Sequence, residues 1–139
     1  MYWLYYSLLL NSPHLKLIRK TKKIPTMPTD TQKPKILLLS EYFISKNKKE
    51  NLWLSNKKLQ KLLYYAQAWS LVLKDNKIFD DKIEAWVHGP AIPLVYFTFK
   101  DFGFKDIDRK FNEKEFDLIS KDDKEVLDEV WRVYGKFDA

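Results

Sequence analysis

The chain of 139 residues contains no cysteine, only two histidines and only three glycines. The absence of cysteine excludes disulfides and thiolate zinc sites, and it is consistent with the cytoplasm, where we expect the protein to be. Two histidines, His14 and His88, are too few for a multi-histidine metal centre, and three glycines are too few for a phosphate-cradling loop. We therefore expect no metal and no cofactor.

Basic residues are in excess only near the start of the sequence. Residues 1–35 contain seven lysines or arginines and one acidic residue, whereas residues 36–139 contain 18 basic and 18 acidic residues. A balanced domain lacks the electropositive footprint of a nucleic-acid-binding protein. The alternative that the protein is a nucleic-acid-binding transcriptional regulator therefore rests on the basic N-terminal segment alone.

The first residues, MYWLYYSLLL, are apolar, but the run is shorter than the ~20 residues that a bilayer-spanning helix needs. It also lacks the charged start and the cleavage site of a signal peptide. A basic stretch and a linker rich in proline, threonine and lysine follow. We predict no membrane span and assign residues 1–33 to a disordered or non-native extension, with Met27 as a candidate start. A peripheral membrane anchor is the alternative.

From Pro34 onwards apolar residues recur with a helical period. The pattern predicts a first helix from Pro34 to about Lys46. The second helix, capped by Ser55, has the clearest buried stripe, made of Leu59, Leu62, Leu63, Ala66, Trp69, Ser70 and Leu73. This stripe leaves Tyr64, Tyr65 and Gln67 free for a partner. A last helix is predicted from Ser120 to Gly135.

Between these helices, two short runs of β-forming residues predict a two-stranded ribbon, Lys77–Phe79 and Ile83–Val87, with DDK as the turn. Gly89 and Pro90 are predicted to stop the second strand, and Pro93 suits the first position of the next helix. The fold class is therefore mainly α, a compact helical domain with a small two-stranded β-ribbon before a Gly-Pro elbow.

A catalytic role at this elbow would need more residues than the sequence offers. Glu84 and His88 fall on one face of the predicted strand and could form an acid–base pair. No nucleophile with an orienting partner accompanies them. We therefore predict that the protein is not an enzyme.

Two central blocks, LQKLLYYAQAWSLVL at 59–73 and IFDDKIEAWVHGPAIPLVYFTFKDFG at 78–103, resemble the SocA-like antitoxins of the Panacea domain family. The segment VLDEVWRVYGKF at 126–137 is similar to the family's penultimate helix. The resemblance covers roughly residues 36–137. It implies a mostly helical, non-enzymatic domain that neutralises a cognate toxin, usually encoded next door, by direct binding.

Relative to the family pattern, the chain is expected to be truncated at its C-terminus and extended at its N-terminus. The family usually continues past the Tyr-Gly pair with a further helix carrying a Thr-His and a Pro-Trp, which this chain lacks. The family usually begins near Met27. The family-like domain is therefore assigned to residues 34–139, with an incomplete C-terminal end.

We expect the partner-binding surface to centre near the elbow, on side chains that the helical and strand patterns leave unburied, namely Tyr64, Gln67, Trp86, His88 and Tyr96. Aromatic side chains beside polar groups are typical of interface hot spots. The alternative is that Trp86 and Tyr96 pack the ribbon onto the helices, since large aromatic side chains are mostly buried in small domains. Gly89, Pro90 and Pro93 are expected to be structural.

Overall fold

The computed structural model describes residues 32–138. The elements in chain order are α1 (Lys35–Glu50), α2 (Asn56–Lys74), β1 (Glu84–Trp86), β2 (Gly89–Ala91), α3 (Pro93–Phe99), a short 3-10 turn (Lys100–Phe102), a longer 3-10 segment (Glu113–Leu118) and α4 (Lys121–Tyr134). The prediction of a mainly α domain with a small two-stranded sheet is confirmed.

The prediction for residues 1–33 falls almost entirely outside the described residues. Of that segment, the structure describes Gln32 and Lys33. The Lys33 ammonium pairs with Glu41 on α1 and with Glu115 on the longer 3-10 segment. These ion pairs tie the entry of α1 to a distant part of the chain.

Helix α1 is buried on several sides. All four residues from Ile36 to Leu39 are buried, because α2, α4 and the longer 3-10 segment all pack against this helix. The helix extends to Glu50, beyond the predicted end near Lys46, and Asn51 ends it in the left-handed conformation with φ of 52°. A helix packed on several sides shows a wider apolar surface than the stripe of a surface helix.

Helix α2 begins as predicted. The Ser55 hydroxyl accepts a hydrogen bond from the Lys58 N–H at 3.3 Å. Leu54 and Leu59, on either side of this cap, are both fully buried. The predicted burial of Leu73 is wrong, since its side chain is 60% exposed. It lies in the last turn of α2, where Leu71 and Val72 are exposed as well.

Helix α4 packs along α2 and closes the core. Its cap is the predicted one, with the Ser120 hydroxyl accepting from the Asp123 N–H at 3.1 Å. The Tyr134 ring stacks on Tyr65, with ring centroids 4.2 Å apart, and meets the edge of Trp69 at 6.1 Å. Tyr65, predicted to be free for a partner, is therefore part of the contact between α2 and α4.

The predicted strand Ile83–Val87 is confirmed, since it contains β1, but its partner is not the predicted one. Strand β1 pairs antiparallel with β2, and the turn between them consists of Val87 and His88. The predicted first strand, Lys77–Phe79, is wrong for a physical reason. The backbone groups of this segment are bonded to a side chain of α2, described below, and are not available to a strand partner.

Gly89 and Pro90 lie inside β2, so the prediction that they end a strand is also corrected. Gly89 has a φ of 118°, at a position after the turn where hairpins commonly place a glycine. Pro90 lies opposite Ala85. Opposite residues of an antiparallel pair exchange two hydrogen bonds or none. Because proline has no N–H, this pair is the non-hydrogen-bonded kind, and the ribbon loses no bond. Pro93 begins α3 as predicted.

Gly89→Ala is expected to lower the free energy of unfolding by about 1–2 kcal/mol, because a side chain disfavours this positive φ. The cost stays near the lower end of the usual range of strain, since an added Cβ would meet no atom within 4 Å. Pro90→Ala is the matched control and is expected to cost less, because the new N–H would point away from β1. Urea denaturation of both variants measures the difference. Equal stability of the Gly89 variant and the wild type would contradict this account of the hairpin.

Candidate functional site

A groove with a volume of about 790 Å³ opens between the hairpin, the first turns of α2 and the end of α3. It is lined by Asn56, Lys57, Gln60, Ala85, Trp86, Val87, His88, Gly89, Pro90, Ala91, Tyr96, Lys100, Gly103 and Phe104. Three of the five predicted partner-binding residues, Trp86, His88 and Tyr96, lie in this lining. The hairpin therefore brings together the residues that the sequence placed at the elbow.

The aromatic side chains at the groove contact one another and are also partly exposed to solvent. The edge-on contacts place the ring of Trp86 at 4.8 Å from that of Tyr96 and at 6.4 Å from that of Phe97. Trp86 and Tyr96 are each 37% exposed, and Phe97 is 46% exposed. The packing alternative is thus correct in part, because these rings fix the hairpin to α3. Each of them also keeps a large apolar area in contact with solvent.

Two polar side chains of α2 hold the far wall of the groove in place. The Gln60 amide accepts a hydrogen bond from the Ile92 N–H at 2.7 Å and donates to the Asn56 side chain at 3.0 Å. The Asn56 amide in turn donates to the Tyr96 carbonyl at 3.0 Å. This chain of bonds sets the position of α3, and so of Tyr96, relative to α2.

Gln67 is not part of the groove surface, and its predicted exposure is wrong. Its side chain is 9% exposed. Its oxygen accepts from the N–H groups of Ile78 and Phe79 at 3.0 and 3.4 Å, and its nitrogen donates to the Phe79 carbonyl at 2.9 Å. Both the oxygen and the nitrogen of the amide thus bond the chain between α2 and the hairpin. The helical pattern placed Gln67 outside the apolar stripe, but a glutamine can be buried where backbone groups need a partner.

The other two predicted residues lie at the rim or beyond it. His88 is exposed in the hairpin turn, beside Val87, which is 96% exposed. Tyr64 is 43% exposed on α2, one turn beyond Gln60, and its ring contacts Tyr65 edge-on at 5.9 Å. Tyr64 is outside the groove lining but continues the same face of α2.

The proposed Glu84 and His88 pair does not form. The Glu84 carboxylate instead accepts a hydrogen bond from the Trp86 indole N–H at 2.8 Å. This bond fixes the orientation of Trp86 and leaves His88 in the turn without a carboxylate partner among residues 32–138. The described part of the chain also contains no cluster of acidic or histidine side chains that could hold a metal ion.

Phe104 is a groove residue that sequence reasoning missed. It is 83% exposed, and its carbonyl accepts a hydrogen bond from the Trp53 indole at 3.3 Å. The Asp106 carboxylate, two residues on, accepts from the Leu54 N–H at 2.8 Å and from the Asn47 side chain at 3.0 Å. The charged stretch that contains Phe104 has no helical or strand periodicity in its sequence. Gly103 marks a turn, and an aromatic residue directly after it could have indicated an exposed side chain.

The charged side chains of the groove lining are both lysines. Lys57 and Lys100 lie in it with His88, and the lining includes no aspartate or glutamate. The Lys100 ammonium lies 5.7 Å from the centre of the Phe97 ring, a favourable cation–π placement. By contrast, Lys58 points into the core, where burial lowers the pKa of its ammonium group and nearby Asp138 and Asp106 partly oppose this shift.

The comparisons with known proteins agree on one family. A family model described as antitoxin SocA-like, Panacea domain, matches residues 59–139. Antitoxin SocA of Caulobacter vibrioides (strain NA1000 / CB15N) is 32% identical to the chain over 92 residues, which is 66% of this chain and 49% of that protein. The chain thus spans about half the length of this curated relative. No solved structure matches it.

Between residues 32 and 138 no helix is both long and apolar enough to cross a membrane. The matched region takes in most of α2 together with the hairpin, α3 and α4. It therefore includes the aromatic cluster and the glutamine-bonded segment described above. From this match we conclude that the chain belongs to the family of SocA-like antitoxins with a Panacea domain.

Proposed function

We propose that the protein is an antitoxin that neutralises a cognate toxin by direct protein–protein binding. In this proposal the toxin is encoded next to it, the protein has no enzymatic activity, and both partners meet in the cytoplasm. Residues 34–139 act as the binding domain. Membership of the antitoxin family supports the role, and the proposal adds the mode of action and the surface.

The exposed aromatic cluster beside the groove is the observation that carries the proposal. Trp86, Tyr96 and Phe97 form a contiguous apolar area, and Val87 and Phe104 extend it around the groove. Exposed apolar patches of this kind mark interaction sites on soluble proteins. Tryptophan and tyrosine next to polar groups are the residues most often found at interface hot spots.

The groove is also held rigidly enough to be a preformed surface. The Gln60 and Asn56 bonds fix α3, and the Glu84 bond fixes the Trp86 ring. A surface that is ordered before binding loses less entropy on association. The alternative of a nucleic-acid-binding regulator depends on the basic N-terminal segment, most of which lies outside the described residues, and no observation at the groove favours it.

Trp86→Ala is expected to abolish growth protection when the variant is co-expressed with the adjacently encoded toxin, while the domain stays folded. The reason is that truncating a hot-spot tryptophan costs at least ~2 kcal/mol of binding. Val72→Ala, a change at an 82% exposed side chain at the end of α2, is the control that should still protect cells. Circular dichroism melting of both purified variants checks folding.

The same assay ranks the other predicted residues. Tyr96→Ala is expected to weaken protection strongly, and His88→Ala and Tyr64→Ala are expected to weaken it less, because they lie at the rim. A sharp fall in the melting temperature of the Trp86 variant would assign Trp86 to the core instead. If all of these variants fold and protect cells, the groove is not the toxin-binding surface.

A further inference from the structure

The groove carries a positive charge that the domain as a whole does not have. Residues 36–139 contain equal numbers of basic and acidic side chains, yet the groove lining contains Lys57 and Lys100 and no carboxylate. Lys61 lies one turn further along α2 from Lys57. The nearest acidic residues in sequence are Asp101, next to Lys100, and Glu84, whose carboxylate is bonded to the Trp86 indole.

The two groove lysines have no carboxylate partner in the described part of the chain. Other surface lysines do pair with acidic side chains, as Lys46 does with Asp128 at 2.7 Å and Lys35 with Asp123 at 2.8 Å, so the feature particular to the groove is that its unpaired lysines adjoin exposed aromatic rings. Lys57 is half-buried, and the Lys100 ammonium lies over an aromatic ring. Two unpaired cations beside an apolar surface leave a positive potential that a partner of opposite charge can complement.

We propose, on the basis of the function proposed above, that the groove binds an acidic segment of the toxin that carries an aromatic or aliphatic residue between carboxylates. The apolar side chain would lie against Trp86 and Tyr96, and the flanking carboxylates would pair with Lys57 and Lys100. The groove volume of about 790 Å³ is within the roughly 300–1,000 Å³ of typical ligand sites. It is therefore large enough for a short segment of a partner.

A nucleic acid is the other polyanion with an affinity for lysine and aromatic side chains, but the groove fits it less well. Single-strand binding surfaces follow the backbone with a continuous basic channel and offer ring faces for base stacking. Here only two lysines line the groove, and the rings of Trp86, Tyr96 and Phe97 contact one another edge-on. An acidic protein segment needs only the two cations and the apolar cluster.

The direct test uses a fluorescent peptide with the sequence Gly-Asp-Glu-Leu-Phe-Asp-Glu-Gly and measures its binding to the full chain by polarisation. We expect binding that weakens as salt is raised, and about tenfold weaker binding of the peptide in which Asn and Gln replace the acids. The double variant Lys57→Glu, Lys100→Glu should lose about tenfold or more for the acidic peptide. A labelled oligo-dT strand is measured in parallel.

The control variant, Lys114→Glu with Lys121→Glu, makes the same change of net charge at exposed lysines outside the groove. It should bind the acidic peptide almost as the wild type does. Equal binding of the acidic and neutral peptides would overturn the proposal. So would the same loss in both double variants, no peptide binding at all, or binding of oligo-dT in preference to the acidic peptide.

Capture of the adjacently encoded toxin separates this proposal from the function on which it rests. If the wild type captures the toxin and the Lys57, Lys100 double variant captures it equally well at low and high salt, the acidic segment is wrong and the antitoxin function stands. If the wild type binds the acidic peptide but neither captures the toxin nor protects cells, the groove does bind acidic segments and the proposed antitoxin function is wrong. Loss of capture only in the groove variants supports both.

Discussion

Gln67→Leu is expected to lower the free energy of unfolding by about 2–4 kcal/mol. The substitution keeps the size of the side chain but leaves the N–H groups of Ile78 and Phe79 and the Phe79 carbonyl without their hydrogen-bond partner. Both residues are buried, Ile78 completely. An orphaned buried polar group costs roughly 1–3 kcal/mol, and three such groups are left here, one of them from a long bond of 3.4 Å. Chemical denaturation followed by circular dichroism measures the loss.

Gln67→Glu is the informative companion variant. A carboxylate can still accept from the two N–H groups but cannot donate to the Phe79 carbonyl when it is ionised. We therefore expect this variant to be destabilised as well, and to regain stability at acidic pH, where the protonated acid can donate. If Gln67→Leu unfolds at the same denaturant concentration as the wild type, the segment from Ile78 to Phe79 does not depend on this side chain.

Gly135→Ala is expected to cost about 2–3 kcal/mol, near the upper end for an overpacked site. An added Cβ would lie 2.5 Å from the Trp131 carbonyl oxygen and 2.6 Å from the Trp131 ring. The chain cannot easily move away, because the Gly135 carbonyl accepts a hydrogen bond from the buried Lys58 ammonium at 2.6 Å. The conformation of Gly135 is an ordinary helical one, with φ of −59°, so the need for glycine is purely steric.

Gly103→Ala provides the matched control, since the two sites need glycine for opposite reasons. Gly103 has a positive φ of 57° and open space around the position of a Cβ. Alanine there should cost about 1–2 kcal/mol from backbone strain alone. Thermal melting of the two variants gives the order of the effects. A Gly103 variant that is less stable than the Gly135 variant would contradict the steric explanation.

The helices could be predicted from the sequence because their signals are local. Ser55 and Ser120 cap α2 and α4 as expected, and Pro93 begins α3. The burial of Leu73 was misjudged because a periodic pattern does not reveal where neighbouring elements stop. The hairpin was misplaced because β-forming residues in Lys77–Phe79 are bonded by a side chain that is distant in sequence, and propensity does not include such a partner.

The candidate site was predictable in its aromatic part and not in its polar part. Trp86, His88 and Tyr96 follow from their position around Gly89 and Pro90, which the hairpin brings into one groove. Asn56, Gln60 and Gln67 lie four and then seven residues apart on α2, a helical spacing that marks one face. The pattern alone cannot distinguish polar residues that bond buried backbone from those that face water. Which of the two a polar residue of α2 does depends on the chain segments that pack against that part of the helix.

The pairing of Ala85 with Pro90 also limits how the protein can associate with copies of itself. In this non-hydrogen-bonded pair the backbone groups point outward, so the outer edge of β2 has a proline ring where a further strand would need an N–H donor. Proline on an edge strand and very short edge strands are two ways in which natural sheets avoid edge-to-edge aggregation. The hairpin combines both, and it can therefore expose tryptophan and valine side chains without becoming a template for growing β-aggregates.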